Sequence, residues 1–102
     1  MRVLVTSTKP YDRRFLEAAA AGSDHQLDFT EAALRPETAI LARDHDAVCV
    51  FVNDHCDAPV LNQLAAVGVR AVALRCAGFN NVDLDRAGQL GIAVVRVPAY
   101  SP

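Results

Sequence analysis

The sequence predicts an α/β domain in which a doubly wound, five-stranded parallel sheet carries helices on both faces. Strand-like and helical segments alternate along all 102 residues, an order typical of parallel sheets with right-handed crossover helices. Residues 47–52 are apolar throughout and 92–97 are apolar except for Arg96, as expected of strands covered on both faces. Gly22, Gly68 and Gly91 each follow a helical segment, where glycine commonly ends a helix. Together these observations indicate a flavodoxin-like sheet.

The first half of the chain supplies two strands and two helical segments. Residues 2–6 are predicted as the first strand, and a polar break with Pro10 separates it from a helix over 11–21. The apolar positions of this helix recur at helical spacing: Tyr11, Phe15 and Ala19. Residues 26–29 are predicted as a short second strand. The segment 36–43 has a proline near its start and predicts a short second helix.

The second half of the chain begins with the predicted third strand, 47–52, and again alternates helices and strands. Asp57 followed by Pro59 predicts the start of a helix. The apolar side chains that share one face of this helix are Val60, Leu61, Leu64 and Ala65. Residues 69–74 are predicted as the fourth strand, and Asp83 resembles the N-cap of a last helix before the fifth strand. The expected buried stripe of that helix is Leu84, Ala87 and Leu90.

Composition limits the possible functions. A hydrophobic content of 52% suffices for the core of one compact domain. Ten basic and twelve acidic residues give a net charge of -2 with no basic cluster, so we expect no nucleic-acid partner. The N-terminus enters a strand at once, without a basic leader or long apolar segment, which predicts a cytoplasmic protein with no membrane contact. Cys49, Cys56 and Cys76 form no CxxC pair and are expected to be reduced, mostly buried thiols.

Residues 75–83, which follow the fourth strand, are the predicted ligand-facing turn. Small molecules bind beyond the carboxyl ends of parallel strands, where loop N–H groups point outward. Ala77 and Gly78 are candidates to bind an anion through their backbone amides, because small side chains permit close approach. Arg75 either holds a carboxylate or, as we favour, points into solvent or pairs with a neighbouring acid. Tyr100 either reaches the same crevice through its hydroxyl or is an ordinary surface residue.

Other polar motifs favour no separate chemistry. His55 and Cys56 are adjacent in the polar loop 53–57, and adjacent side chains rarely face each other, so a solvated loop is favoured over a nucleophile or a metal site. Ser7 and Thr8 lack the glycines of a phosphate-binding loop, and no GxGxxG motif occurs.

A phosphate-accepting receiver domain would need acidic residues after the first strand, an aspartate at the tip of the third and a lysine beyond the fifth. The sequence has none of these at the expected places.

The last two residues have the order of a helix start. Ser101 is a suitable N-cap, and Pro102 suits the first helical position. This signal predicts that the natural polypeptide continues beyond these residues.

Residues 73–85 and 95–102 carry a resemblance that extends over the entire chain, including 7–12 and 47–54. These stretches resemble the N-terminal region of the fermentative D-lactate dehydrogenases, which belong to the D-isomer-specific 2-hydroxyacid dehydrogenase family. The resemblance implies that residues 1–102 are the N-terminal part of a split substrate-binding, or catalytic, domain. The NAD-binding domain of such an enzyme would be absent from this chain.

The resemblance also implies roles for individual residues. In the family, the loop that matches Ala77 and Gly78 offers amides to the substrate carboxylate, the residue that matches Tyr100 lies at the active-site cleft, and the position of Phe51 borders the substrate. Phe51 departs from relatives with tyrosine there, so any substrate contact would be apolar. The family's catalytic arginine, glutamate and histidine lie downstream, as does its GxGxxG motif. No catalytic, cofactor-binding or metal-binding residue is therefore expected in this segment.

The implied full-length enzyme is an NAD-dependent homo-oligomer in which NADH reduces pyruvate to D-lactate. The segment alone is expected to be inactive and to bind no NAD. The choice between pyruvate and a larger 2-keto acid stays open, because it depends partly on Phe51 and partly on residues outside this segment. The alternative hypothesis is a stand-alone module of the same fold that binds small carboxylates or a partner.

Overall fold

The computed structural model describes residues 1–51, 54–75 and 81–96, whose five strands form one sheet. In chain order the strands are β1 Arg2–Val5, β2 Gln26–Phe29, β3 Ala47–Val50, β4 Ala71–Leu74 and β5 Ala93–Arg96. All are parallel, and their order across the sheet is β2-β1-β3-β4-β5. This is the flavodoxin-like order, so the predicted fold class is confirmed.

Helical segments connect the strands in the described part of the chain. They are α1 Pro10–Ala20, the 3₁₀ helix Ala39–Ala42, α2 Ala58–Ala66 and α3 Leu84–Gln89. The carboxylate of Asp57 accepts a hydrogen bond from the Val60 N–H at 3.3 Å, and that of Asp83 accepts one from the Arg86 N–H at 3.0 Å. Both predicted N-caps are therefore confirmed.

Helices cover both faces of the sheet, because alternate strand residues point to opposite sides. On one face, α2, α3 and the 3₁₀ helix pack over the larger core cluster, to which β3 contributes Val48 and Val50. On the other face, Leu16 of α1 packs with Val5 and Cys49. The predicted apolar face of α2 lies in the larger cluster, with Val60, Leu61 and Leu64 fully buried and Ala65 partly buried.

The α1 helix differs from its predicted apolar face. Tyr11 and Ala19 are exposed, whereas Asp12 and Leu16 are buried, so the buried stripe is rotated by one position. The reason is an ion pair: Asp12 turns inward to meet Arg75, whose guanidinium lies 3.2 Å away. A buried charge is stable only with such a partner. The predicted face was wrong for Tyr11 and Ala19, whereas Phe15 packs against the smaller core cluster as predicted.

Two further helical predictions need correction. The segment 36–43 contains only a short 3₁₀ helix, in which Ala39 and Ala42 are buried and Ile40 is 55% exposed. The tighter 3₁₀ turn aligns residues three apart, which places the two alanines on one side. In α3, Ala87 is buried as predicted, but Leu84 is 49% exposed because only the side of the helix that faces α2 and β5 is covered.

Cys49 and Cys56 are reduced and buried, as predicted. Burial raises the pKa of the Cys49 thiol to about 11, so the neutral form predominates at neutral pH. Cys76 lies outside the described residues.

Candidate functional site

A cleft of about 660 Å³ opens at the carboxyl ends of β1, β2 and β3. The loop after β1 contributes Ser7 and Thr8 to its wall, and Phe51 lines it directly after β3. The charged residues of the wall are Lys9, Glu31 and Arg35. Open α/β sheets bind their ligands at this edge, so the cleft is the candidate functional site.

Among the predicted site residues, Phe51 is the one that the described part of the chain places at the cleft. Its side chain is partly buried. Ala77, Gly78 and Tyr100 lie outside the described residues, so their roles stay predictions.

The position of Phe51 is determined by three neighbouring residues. Its backbone N–H donates to the carboxylate of Asp54 at 2.7 Å, and its carbonyl accepts from the Asn81 amide at 3.1 Å. The Arg75 guanidinium lies 5.5 Å from the centre of the phenyl ring, within the range of a cation–π contact. Both the backbone and the ring of Phe51 are therefore held, and the residue presents an ordered apolar surface to the cleft.

The carboxylate of Asp54 is buried and accepts four hydrogen bonds. Two come from the hydroxyls of Thr6 and Ser7, each at 2.8 Å. Two come from the backbone N–H groups of Leu34 at 2.6 Å and Phe51 at 2.7 Å. Hydrogen bonds to a carboxylate are stronger than those between neutral groups, so this side chain ties together the loops that follow β1, β2 and β3.

The solvated-loop interpretation of residues 53–57 was therefore wrong for two residues. Asp54 and Cys56 are fully buried, and only His55 of the proposed pair is exposed. The sequence does contain a signal for Asp54, namely the two hydroxyl residues Thr6 and Ser7 after the neighbouring strand. Strands β1 and β3 pair in parallel, so their carboxyl ends bring donors and acceptor together.

Arg75 is buried and lies among the strand ends. Its guanidinium pairs with Asp12 at 3.2 Å and donates hydrogen bonds to the carbonyls of Thr6 and Val50. The contact with Asp12 is ionic, since the closest pair of atoms does not meet at hydrogen-bonding angles. The preference for pairing with an acid is confirmed, whereas the expectation of a solvent-facing side chain was wrong. The guanidinium of Arg75 contacts protein groups at the strand ends, so we assign it a structural role beside the cleft.

A second polar cluster lies towards the amino end of the sheet. Asp28 Oδ2 is 2.7 Å from His45 Nε2 and 3.0 Å from Arg2 Nη2. Hydrogen bonding with His45, and then with Arg2, holds the pKa of the Asp28 carboxyl below its ordinary value. This cluster joins β1, β2 and the loop before β3, and it is distinct from the cleft.

The described residues offer no group of three or more histidine, cysteine, aspartate or glutamate side chains that could hold a metal ion. Within the same ranges, each helix is too short or too polar to cross a membrane.

The fold and cleft define an open α/β domain with a cleft at the carboxyl edge of its parallel sheet, the edge at which such domains bind ligands. Comparison with protein families narrows this class. Residues 3–102 match the model of the D-isomer specific 2-hydroxyacid dehydrogenase, catalytic domain. The chain belongs to this family, as its sequence resemblance predicts.

Relatives cover the entire chain. A 2-hydroxyacid dehydrogenase homolog of Haemophilus influenzae is 53% identical over 102 residues, which are 100% of this chain and 31% of that protein. The D-lactate dehydrogenase of Escherichia coli is 50% identical over 102 residues, 100% of this chain and 31% of that protein. Its apo-structure has a TM-score of 0.94 and covers 100% of this chain, which corresponds to 32% of that structure.

A more distant solved structure carries the cofactor. The D-isomer specific 2-hydroxyacid dehydrogenase from Lactobacillus delbrueckii, in its NAD complexed form, is 27% identical with a TM-score of 0.83, and the match covers 100% of this chain and 31% of that structure. The chain thus spans about a third of the length of the relatives it matches.

Proposed function

We propose that this chain is the N-terminal part of the substrate-binding, or catalytic, domain of an NAD-dependent D-lactate dehydrogenase. The observation that carries the proposal is the 50% identity with the Escherichia coli D-lactate dehydrogenase over all 102 residues. The full-length enzyme reduces pyruvate to D-lactate in the cytoplasm as a homo-oligomer, and residues 1–102 alone are inactive.

The charges of the cleft wall support the proposal of a small anionic substrate. Lys9 and Arg35 bring two positive charges to its wall, against one negative charge from Glu31. Phe51 provides an apolar surface that suits the methyl group of pyruvate. The amides of Ala77 and Gly78 remain the proposed donors to the substrate carboxylate, and Tyr100 remains a proposed residue of the active-site cleft.

The proposed reaction transfers a hydride from the reduced nicotinamide to the keto carbon of pyruvate, while a proton goes to the keto oxygen. The 102 residues contain no GxGxxG motif, so we assign cofactor binding to the portion of the enzyme that this chain does not cover. The residues of this chain bind and orient the substrate. Orientation contributes to the rate because it replaces a search between two molecules by a defined contact.

The experiment is an assay of the full-length protein with NADH and pyruvate, in which loss of NADH absorbance is followed and the product is separated on a chiral column. We expect NADH oxidation that depends on pyruvate and yields D-lactate. Formation of L-lactate, or no oxidation with pyruvate, would contradict the proposal. A series of larger 2-keto acids in the same assay determines the preferred side chain.

The alternative, a stand-alone carboxylate-binding module, draws on the two positively charged residues of the cleft wall, Lys9 and Arg35. It predicts that residues 1–102 bind pyruvate or oxalate by themselves. Titration calorimetry with purified residues 1–102 distinguishes the two functions. The dehydrogenase proposal expects no measurable heat, because the remaining substrate contacts come from the rest of the enzyme.

A further inference from the structure

The buried carboxylate of Asp54 connects three loops around the cleft. It receives hydrogen bonds from Thr6 and Ser7 after β1, from Leu34 after β2, and from Phe51 after β3. Ser7 and Phe51 line the cleft directly, and Leu34 lies between two other lining residues. One side chain therefore determines the relative positions of three parts of the wall.

We propose that Asp54 is a positioning residue for substrate binding. Its carboxylate fixes the backbone of Phe51, and Phe51 forms the apolar part of the cleft wall. This inference rests on the proposed dehydrogenase function for its kinetic effect, but the geometric part stands on the hydrogen bonds alone. Asp54 does not line the cleft, so it acts on the substrate through Phe51.

The two oxygens of the carboxylate each have one donor that can rotate and one that cannot. Oδ1 accepts from the Ser7 hydroxyl and the Leu34 N–H, and Oδ2 accepts from the Thr6 hydroxyl and the Phe51 N–H. A hydroxyl can turn and accept a hydrogen bond, whereas a backbone N–H can only donate. Both oxygens must therefore be acceptors for all four contacts to persist.

Asparagine has the same size as aspartate but cannot satisfy this arrangement. Its NH₂ group would face either the Phe51 N–H or the Leu34 N–H, depending on the orientation of the amide. One buried backbone donor would then lose its acceptor, and its loop would move to find another. In either orientation the wall of the cleft is rearranged.

Asn81 holds the same segment through other backbone atoms. Its amide donates to the carbonyls of Phe51 and Asp54, both at 3.1 Å. The carbonyl of Phe51 is thus held by Asn81, and its N–H by the Asp54 carboxylate. Loss of the carboxylate leaves the bonds of Asn81 in place, so we expect a displaced cleft wall in a folded protein.

The kinetic test uses Asp54→Asn in the full-length enzyme. We expect the KM for pyruvate to rise about tenfold, the effect of losing one buried hydrogen-bond acceptor. The KM for NADH should stay within about twofold of the wild-type value, because a shift of the Phe51 wall weakens substrate binding alone. The ratio of kcat/KM for pyruvate to that for 2-ketobutyrate should also change, since Phe51 faces the substrate side chain.

The matched control is Asp46→Asn, the same chemical change at a carboxylate that accepts from the Arg2 N–H at 2.8 Å, before β3. We expect both KM values to stay at the wild-type level in this variant. A purely structural role of Asp54 would lower the fraction of active enzyme, which reduces kcat and leaves KM unchanged. That outcome would overturn the positioning proposal.

Hydrogen exchange tests the geometry without any activity. In full-length Asp54→Asn, the backbone amide of Phe51 or that of Leu34 should exchange faster, whereas amides of β1 should be unchanged. If the wild-type enzyme turns over no 2-keto acid, the proposed function fails while this measurement still decides the role of Asp54. Unchanged exchange at both amides would refute it.

Thr6→Val is the second variant if Asp54→Asn does not fold. It removes one rotatable donor from the carboxylate and leaves both backbone donors satisfied. We expect a rise in the KM for pyruvate in the same direction but below about threefold. No change in KM with Thr6→Val, together with misfolding of Asp54→Asn, would count against positioning and assign Asp54 to stability alone.

Discussion

The two ends of the sheet contain charged clusters of very different burial. At the cleft end, Asp12, Asp54 and Arg75 are at most 1% exposed. At the amino end, the side chains of Arg2 and Asp28 are 46% and 47% exposed. Buried charges require specific partners, whereas exposed ones are solvated and screened by salt. The difference indicates that charge at the cleft end specifies geometry, while charge at the amino end adds little to stability.

The largest expected effect is that of Arg75→Met. The variant leaves the carboxylate of Asp12 buried without its cation, and it removes the donors to the carbonyls of Thr6 and Val50. We expect the free energy of unfolding to fall by about 3–5 kcal/mol, as measured by urea denaturation. A loss below about 1 kcal/mol would show that the buried ion pair contributes no more to stability than the exposed pair of Arg2 and Asp28.

The double variant Arg75→Met with Asp12→Asn isolates the cause of that loss. Asparagine removes the unpaired charge and can still accept the hydrogen bond that the Lys9 N–H donates to Asp12. We expect part of the lost stability to return. If the double variant is less stable than Arg75→Met, the unpaired buried carboxylate of Asp12 is not the reason for the loss.

The second prediction concerns Cys49, which lies in β3 beneath α1. Burial raises its pKa from 9.0 to about 11, so the folded protein favours the neutral thiol. The resulting stabilisation is fully present below pH 9 and is lost as the pH rises through about 11, because the unfolded thiol ionises first. Two pKa units correspond to about 2–3 kcal/mol.

Urea denaturation across this pH range, with Cys49→Ala as the control, measures the effect of Cys49. Other groups titrate in both proteins, so the difference between them isolates this thiol. We expect the difference in unfolding free energy to shrink as the pH rises. A constant difference would mean that the thiol is not shielded from water.

The smallest expected effect lies at the amino end. Asp28→Asn should cost less than about 1 kcal/mol, because the carboxylate is half exposed, its ion pair with Arg2 is screened, and the asparagine side chain can still form a hydrogen bond with His45 Nε2. The pKa of Asp28 is lowered, so its contribution is present above the ordinary value of 3.8 and is lost as the pH falls below that value. The measurement is thermal unfolding of both proteins at low and high salt, and a loss that salt does not reduce would contradict the assignment.

Local sequence signals were sufficient for the order of the elements, but the expectation that the fifth strand is covered on both faces was wrong, because β5 is an edge strand and is mostly exposed. Asp57 and Asp83 cap their helices as predicted, since capping depends on residues three or four positions apart. The strand β2 lies at Gln26–Phe29, where it was predicted, and the other strands lie within their predicted ranges. Alternation of these elements leaves few topologies, because crossovers between parallel strands are right-handed.

The site was only partly predictable. Phe51 lines the cleft as its family position implies, but the supports of Phe51 come from distant parts of the chain. Asp54 was predicted to be solvated because its partners, Thr6 and Leu34, are 48 and 20 positions away along the chain. No local pattern indicates whether such a carboxylate is solvated or buried.

The sequence by itself determined the order of the strands and helices, the helix caps and the family. Those features depend on neighbouring residues, whose spacing is visible along the chain. Only the tertiary structure decided that Asp12 turns inward, that Arg75 is buried and that Asp54 joins three loops. Burial of a charge depends on whether distant partners can surround it, and that is settled when the carboxyl ends of the strands come together.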